Sequence, residues 1–487
     1  MYIQNILKAT LLVAMTLVMA SGCTTSYPTE VYTVTKPTSS IDPTNTESSK
    51  NKLGSEELTV YINSHEFFSF SSGMTRGSGP FDNTVDIDKY VQKLKDSKFY
   101  IYAFRVGAPS NQLDAPAELK DSCDYRRYFK ATTHISSGSS DPNNYHCLVD
   151  GIDYYEGLPM WVENKNNQLS GVDVVSEEGY KLEYDHSAVG DLRFNAKYPD
   201  LGYDFFCYYF DDINLSQMTP RREKDRIYYK DFTIDGTEDV LCGASPKVSD
   251  NTLNRLSLSS ADRKRILNAN GYTSFGASCG LFPQIPLTHQ LARLKFFAVA
   301  GKKSAEGMKI LSIAVHSKYK GEFTVATRNP QNHPQGIAWS NEKTKLVLKE
   351  ASETGTSPCQ PLKQDDSYVI RWQDEWNDVD WVNRATEDLG ALRIGGSLLV
   401  APDVEYTIEL EYLMPETSEV HKAIQSLEMI NPTDGNYMPF EAGKEYPVYI
   451  GVFGPEDVWV GVDITKWQPA DPVFIDPDDP STESHLN

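Results

Sequence analysis

Basic charge is scarce in this chain: 46 Lys and Arg stand against 68 Asp and Glu, a net charge of −22 over 487 residues. Phosphate backbones and anionic lipids are held by basic surface, so the balance excludes nucleic acid as a partner. Cysteine is sparse at seven, none in a CxxC pair, and the nine histidines form no HExxH or comparable cluster. Neither a structural zinc site nor any other cofactor is therefore expected. Glycine-rich phosphate loops and dinucleotide fingerprints are absent as well. The only long apolar run, Ala9–Met19, is too short to span about 30 Å of hydrocarbon as a mature helix. Arginine is missing until Arg76.

Aromatic residues make up 11% of the chain, with 28 Tyr and 20 Phe beside 31 Gly and 27 Pro. That mixture favours strands and turns over helical bundles, and the length exceeds one ordinary core. Leu58–Ile62 alternates apolar residues, and Phe67 and Phe70 follow. Phe99–Phe104 and Tyr203–Phe210 are nearly without polar residues and read as strands buried on both faces or at an interface. A short helix-like stretch, Val85–Leu94, runs into the first of them. Further strands fit Leu291–Val299, Ile310–His316, Tyr319–Phe323, Lys345–Leu348, Tyr368–Trp372, Tyr406–Tyr412, Tyr446–Phe453 and Val458–Ile464. The fold class is therefore all-β: two β-sandwich domains with minor helical decorations.

The N-terminus reads as an address. Lys8, the apolar run and Ala20-Ser21-Gly22-Cys23 resemble a lipoprotein signal peptide over residues 1–22, with Cys23 as the lipidation site. The alternative is an ordinary secretory signal cleaved near Ala20. Residues 23–54, rich in Thr, Ser, Pro and Asn, bury too little to order themselves and read as a flexible tether. The N-terminal sandwich is expected over 55–250, a linker or connecting helix over 251–284, the C-terminal sandwich over 285–470 and an acidic tail over 471–487. Export permits disulfides among the remaining six cysteines, which allow 15 connectivities.

Gly276-Ala277-Ser278-Cys279-Gly280 matches the G-x-S-x-G nucleophile elbow. That motif needs a strand-to-helix turn, and Pro283 and Pro286 argue against the helix. Carboxylate pairs carry no information in so acidic a chain, and Asp476, Asp478 and Asp479 lack the rest of a calcium loop. No enzyme is expected. Trp372, Trp376 and Trp381 are interleaved with Asp374, Glu375, Asp378 and Asp380, a candidate glycan-binding cluster, although tryptophans so placed more often pack the ends of a sandwich. Arg221, Arg222, Lys224, Arg226 and Lys230 read as a solvated basic loop.

Arg76 sits in Ser71–Pro80, a loop composition open to a protease. Cutting there would separate the tether and the strand bearing Leu58, Val60, Ile62, Phe67 and Phe70 from the body. Loss of a sheet strand opens an apolar groove with unpaired backbone groups, which can accept a strand from another molecule.

In their order along the chain, several fragments resemble the fimbrillin family, the type V pilins of anaerobic Gram-negative bacteria. They are the first strand with Thr75-Arg76-Gly77, then Lys98–Phe104, Tyr203–Phe210, Ile234–Leu241, Leu287–Phe296, Tyr319–Phe323, Gly443–Tyr446 and Trp467. The resemblance implies two transthyretin-like sandwiches and a lipid-anchored outer-membrane precursor held through Cys23. It also implies cleavage at Arg76 by an Arg-specific protease and assembly with other pilus subunits by strand exchange at the cell surface. A host or bacterial surface glycan or protein is the expected adhesion target. The prolines of Ala470–Pro477 make a poor donor strand, which favours a tip or accessory subunit. The alternative is a monomeric glycan-binding outer-membrane lipoprotein.

Overall fold

The structure is a computed structural model. It describes residues 58–63, 97–106, 156–163, 180–189, 192, 194, 199–210, 218–223, 226–327, 329–350, 359–372, 391–415, 419–430, 436–454, 458–462 and 465–466. In chain order the first elements are β1 (Val60–Asn63), β2 (Phe99–Arg105), β3 (Leu158–Val162), β4 (Tyr180–Tyr184), α1 (His186–Val189) and β5 (Tyr203–Phe210). Next come β6 (Arg221–Arg222), β7 (Arg226–Thr233), β8 (Val240–Ala244), α2 (Asp250–Leu253), α3 (Ser260–Ala269) and α4 (Ser274–Ser278). β9 (Gln284–Pro286), β10 (Thr288–His289), β11 (Ala292–Ala300), β12 (Lys309–Lys318), β13 (Lys320–Thr327) and β14 (Gly336–Trp339) follow. β15 (Lys343–Val347), β16 (Leu392–Val400), β17 (Glu405–Leu413) and β18 (Val420–Ile430) lead into β19 (Tyr437–Met438), β20 (Lys444–Val452), β21 (Val458–Val462) and β22 (Thr465–Lys466).

The expected all-β, sandwich-like class is what these strands form. An eight-stranded sheet, β10-β8-β5-β2-β3-β4-β1-β9, faces a four-stranded sheet, β14-β13-β7-β6. Aromatic rings fill the space between them: Tyr208 and Phe210 of β5 meet Phe323 of β13 edge-on at centroid distances of 5.9 and 6.4 Å. The Tyr208 and Tyr229 hydroxyls bond across the same layer at 2.7 Å, so neither buried polar group is orphaned. The continuous apolar character of β5 follows, since its other face is also buried.

The second layered pair is the sheet β16-β11-β20-β21, with β22 beside β20, and the sheet β15-β12-β17-β18-β19. Tyr406 of β17, Phe440 and Tyr446 of β20 pack in succession between these sheets, tilted and then edge-on, with centroids 4.8 and 4.9 Å apart. β13 and β14 follow the expected boundary at 251–284 in sequence, yet pair with β7, which precedes it. The described residues all belong to one compact unit, Lys52–Asn487.

Residues 251–284 carry the helices α2, α3 and α4. Ser259 caps α3 by accepting from Asp262 N–H at 3.1 Å, and Asn270 ends it in the left-handed region at φ 52°. Leu253, Ile266, Phe275 and Leu281 from this stretch join the core. Tyr368–Trp372, expected as a strand, instead holds a 3-10 turn over Asp366–Tyr368 and a single bridge from Val369 to Lys309. Asp365 accepts from Ser367 N–H at 2.9 Å, the local bond that turns the backbone away from a ladder. The basic residues expected in a loop are on strands instead, with Arg221 and Lys230 exposed and Lys224 outside the described residues. Arg221, Arg222 and Arg226 lie on the β6–β7 hairpin, where the Arg226 guanidinium bonds Glu223 and Glu322 and covers the Tyr228 ring.

Candidate functional site

β1 is the element on which the sequence reading converges. Leu58, Val60 and Ile62 are 3%, 0% and 0% exposed, whereas Thr59 and Tyr61 are half-buried. Register settles which side chains face inward: the period-two set beginning at Leu58 points into the core. On one side β1 pairs antiparallel with β4, Val60 opposite Leu182 and Ile62 opposite Tyr180. On the other it pairs parallel with β9, Tyr61 opposite Gln284 and Ile62 opposite Ile285. Leu58 N–H donates to Leu192 O and Tyr61 N–H to Pro283 O, each at 2.9 Å. Tyr61 packs its ring against Phe282, centroids 6.1 Å apart.

The strand is thus seated in a slot with two backbone walls and an apolar floor. Leu182, Tyr180, Ile285, Leu158 and Met160 lie on the same face, all buried. Burial pushes the Tyr180 phenol up, so no charge develops there at physiological pH. Burying each of the three inward aliphatic side chains stabilises by about 1.5–3 kcal/mol, so together they rival the whole stability of a small domain. Vacating the slot without a replacement would be unsustainable.

The walls were not singled out from the sequence, although Tyr180-Lys181-Leu182-Glu183-Tyr184 alternates as a half-buried strand should. The remaining members of the expected set, Phe67 and Phe70, lie outside the described residues, as do Cys23, Arg76, Trp376 and Trp381. Trp372 is partly buried and packs against Val299 together with Tyr449 and Phe453.

The other expected chemistry is dispersed. Ser278 is the last residue of α4, and its hydroxyl donates to Phe275 O at 2.7 Å. A serine at the end of a helix, tied back to it, is not presented as an elbow nucleophile is. Cys207 and Cys242 are buried thiols on adjacent strands, and burial pushes both well up, which keeps them inert. Among the described residues no group of three His, Cys, Asp or Glu could hold a metal ion.

Two charged clusters stand out elsewhere. In the turn between β7 and β8, Asp235 Oδ1 accepts from Thr237 N–H at 2.9 Å, and Oδ2 meets Lys349 Nζ at 2.8 Å. Glu238 accepts from Asp235 N–H at 3.0 Å. Burial, then the neighbouring Asp235, pushes the Glu238 carboxyl up to about 8, while hydrogen bonds from Glu238, Lys349 and Thr237 hold Asp235 low. The turn also clips onto β16, where Leu399 N–H donates to Gly236 O at 2.8 Å. On the outer face of the second pair of sheets, Glu409 is bonded by Lys345, Lys422 and His316 at 2.7, 2.6 and 2.6 Å. These bonds pull its carboxyl down to about 2.

No family model matches the chain, and no curated protein matches it. Solved structures do. A candidate cell adhesion protein from Bacteroides uniformis ATCC 8492 is 10% identical, over 85% of this chain and 99% of that one, at a TM-score of 0.35. Another, from Bacteroides ovatus ATCC 8483, is 11% identical over 86% and 99%, at 0.36. The fimbrial anchor protein Mfa2 from Porphyromonas gingivalis is 10% identical over 84% and 95%, at 0.28. The solved structures similar to this chain thus include a fimbrial anchor and candidate cell adhesion proteins.

Proposed function

We propose that this chain is a cell-surface pilus subunit, of tip or accessory type, that acts by assembly and adhesion without catalysis. Its precursor is anchored in the outer membrane through lipid on Cys23. An Arg-specific protease cuts after Arg76, β1 departs, and a strand from a neighbouring subunit takes its place. The observation that carries the reading is the seating of β1. It is a short strand near the start of the folded chain, buried at Leu58, Val60 and Ile62, and flanked on both sides by strands that remain after a cut at Arg76.

The vacated slot would present β4 and β9 backbone groups over an apolar floor, which is the chemistry of strand addition. An incoming strand must carry apolar residues at three alternate positions. It must also supply donors and acceptors to both walls at once. The proline-rich residues 470–477 are poor material for such a strand, which supports the tip or accessory role over that of a stalk subunit.

The test is Arg76→Ala in the mature chain treated with an Arg-specific protease, with intact mass and native size read together. The wild type is expected to lose the fragment carrying β1 and grow into oligomers, whereas the variant stays folded and monomeric. Polymers of the Arg76→Ala protein after protease treatment would overturn the proposal.

A further inference from the structure

The two outer strands of the eight-stranded sheet, β9 and β10, are adjacent in sequence. β9 pairs with β1 at one edge and β10 with β8 at the other, with only Leu287, 2% exposed, between them. Six consecutive residues, Gln284–His289, therefore border both edges. The sheet must curl until β1 and β8 lie one strap apart, closing a seam.

Close contacts mark that seam. A Cβ placed on Gly243 of β8 would lie 1.9 Å from Pro286 O and 3.3 Å from Ile285 Cγ2, so the β8 backbone touches the strap directly. Behind it, Gln335 Nε2 donates to Gly243 O at 3.0 Å. The far end of the strap is fixed by the buried contact of His289 Nδ1 with Asp239 Oδ2 at 2.8 Å, and by Gln290 N–H donating to Val240 O at 2.8 Å. Toward β1 the strap has less to offer, because Pro283 and Pro286 supply no N–H to the ladder.

We infer that the Gln284–His289 strap is the gate of the β1 slot: β1 is released when the seam between the strap and β8 opens, not by fraying from β4 alone. The inward side chains of β1 point into the interior that the strap closes, as does Ile285 beside Ile62. Opening the seam frees one wall of the slot and admits solvent to its floor. The inference rests on the proposed function only for its biological meaning, since the opening of β1 is measurable without any assembly step.

Hydrogen–deuterium exchange of the full mature chain, read on the peptides covering β1, β2, β5 and the strap, tests it. Thr288 lies directly opposite Cys242 across the β8–β10 pair, a spacing that a disulfide can bridge. Thr288→Cys oxidised during refolding, while Cys242 is still accessible, therefore locks the seam without touching β1, and its reduced form is the control. Locking is expected to slow exchange of the β1 amides by about tenfold or more, because the cooperative opening that exposes them is blocked. Leu287→Ala, which loosens the strap, is expected to speed β1 and strap exchange together, leaving β2 and β5 unchanged. β1 rates that ignore both the lock and the loosening would overturn the inference. Strand exchange at Arg76 could still fail with the coupling intact, or succeed with the coupling absent, so the two proposals fall separately.

Discussion

Glu238→Gln is expected to make this protein more stable, and only above acidic pH. In the folded chain the Glu238 carboxyl is raised from 4.5 to about 8. The unfolded chain therefore ionises first, and stability drains away as pH rises from about 4.5 to about 8, then levels off. At 1.36 kcal/mol per tenfold, the ceiling on that loss is about 5 kcal/mol. The proton that keeps Glu238 neutral also serves Asp235, whose carboxylate is held low and contributes stability in the opposite sense. The net recoverable part for the pair is accordingly about 1–2 kcal/mol. Glutamine keeps the acceptor for Asp235 N–H and presents an N–H to the Asp235 carboxylate with no proton to lose. Scanning calorimetry at pH 4, 6 and 8 should find matching midpoints at pH 4 and a variant higher by about 2 °C at pH 8. A gain of equal size at every pH, or a loss at pH 8, would refute the argument that a shared proton governs this turn.

The other expectations concern packing and charge. Ile62→Ala removes a side chain with no exposure from the slot and should cost about 2–5 kcal/mol by chemical denaturation. Gly243→Ala drives a methyl into the Pro286 carbonyl, and should destabilise by about 3 kcal/mol or prevent folding, as backbone cannot step aside like a side chain. Glu409→Gln discharges the acceptor shared by Lys345, Lys422 and His316. Because Glu409 is held down at about 2, its contribution is fully present above about pH 4.5 and is lost as pH falls through 2. The variant should melt lower than wild type at pH 7 and alongside it near pH 2.

Much of the fold was legible wherever one residue class dominated. Tyr203–Phe210 is a strand over the span expected, since a run with both faces buried leaves no polar residue to confuse the phase. β18 escaped notice because Val420 and Ile424 stand on its outer face, 61% and 59% exposed, opposite in phase to buried Leu427 and Met429. Apolar residues in both phases erase the period-two signal. The inward set of β1 was named as candidates but could not be phased until register with Leu182 and Ile285 was known. The strap was illegible for a different reason. Pro283-Gln284-Ile285-Pro286 looks like a break in structure, and only tertiary closure makes a strand of it.

The four-stranded sheet has a consequence for how the chain comes together in time. Its β6 and β7 lie at residues 221–233, but β13 and β14, which complete it, lie at residues 320–339. A chain emerging amino end first has only β7, with Tyr229 and Phe232, to cover Tyr208 and Phe210 of β5 long before β13 brings Phe323 onto them. Until Trp339 is clear, that face is a sticky, half-dressed surface. A fragment ending at residue 250 would keep it so permanently. Late-arriving coverage of this kind slows folding, since distant contacts must close before any reward, and gives chaperones a long interval in which to act.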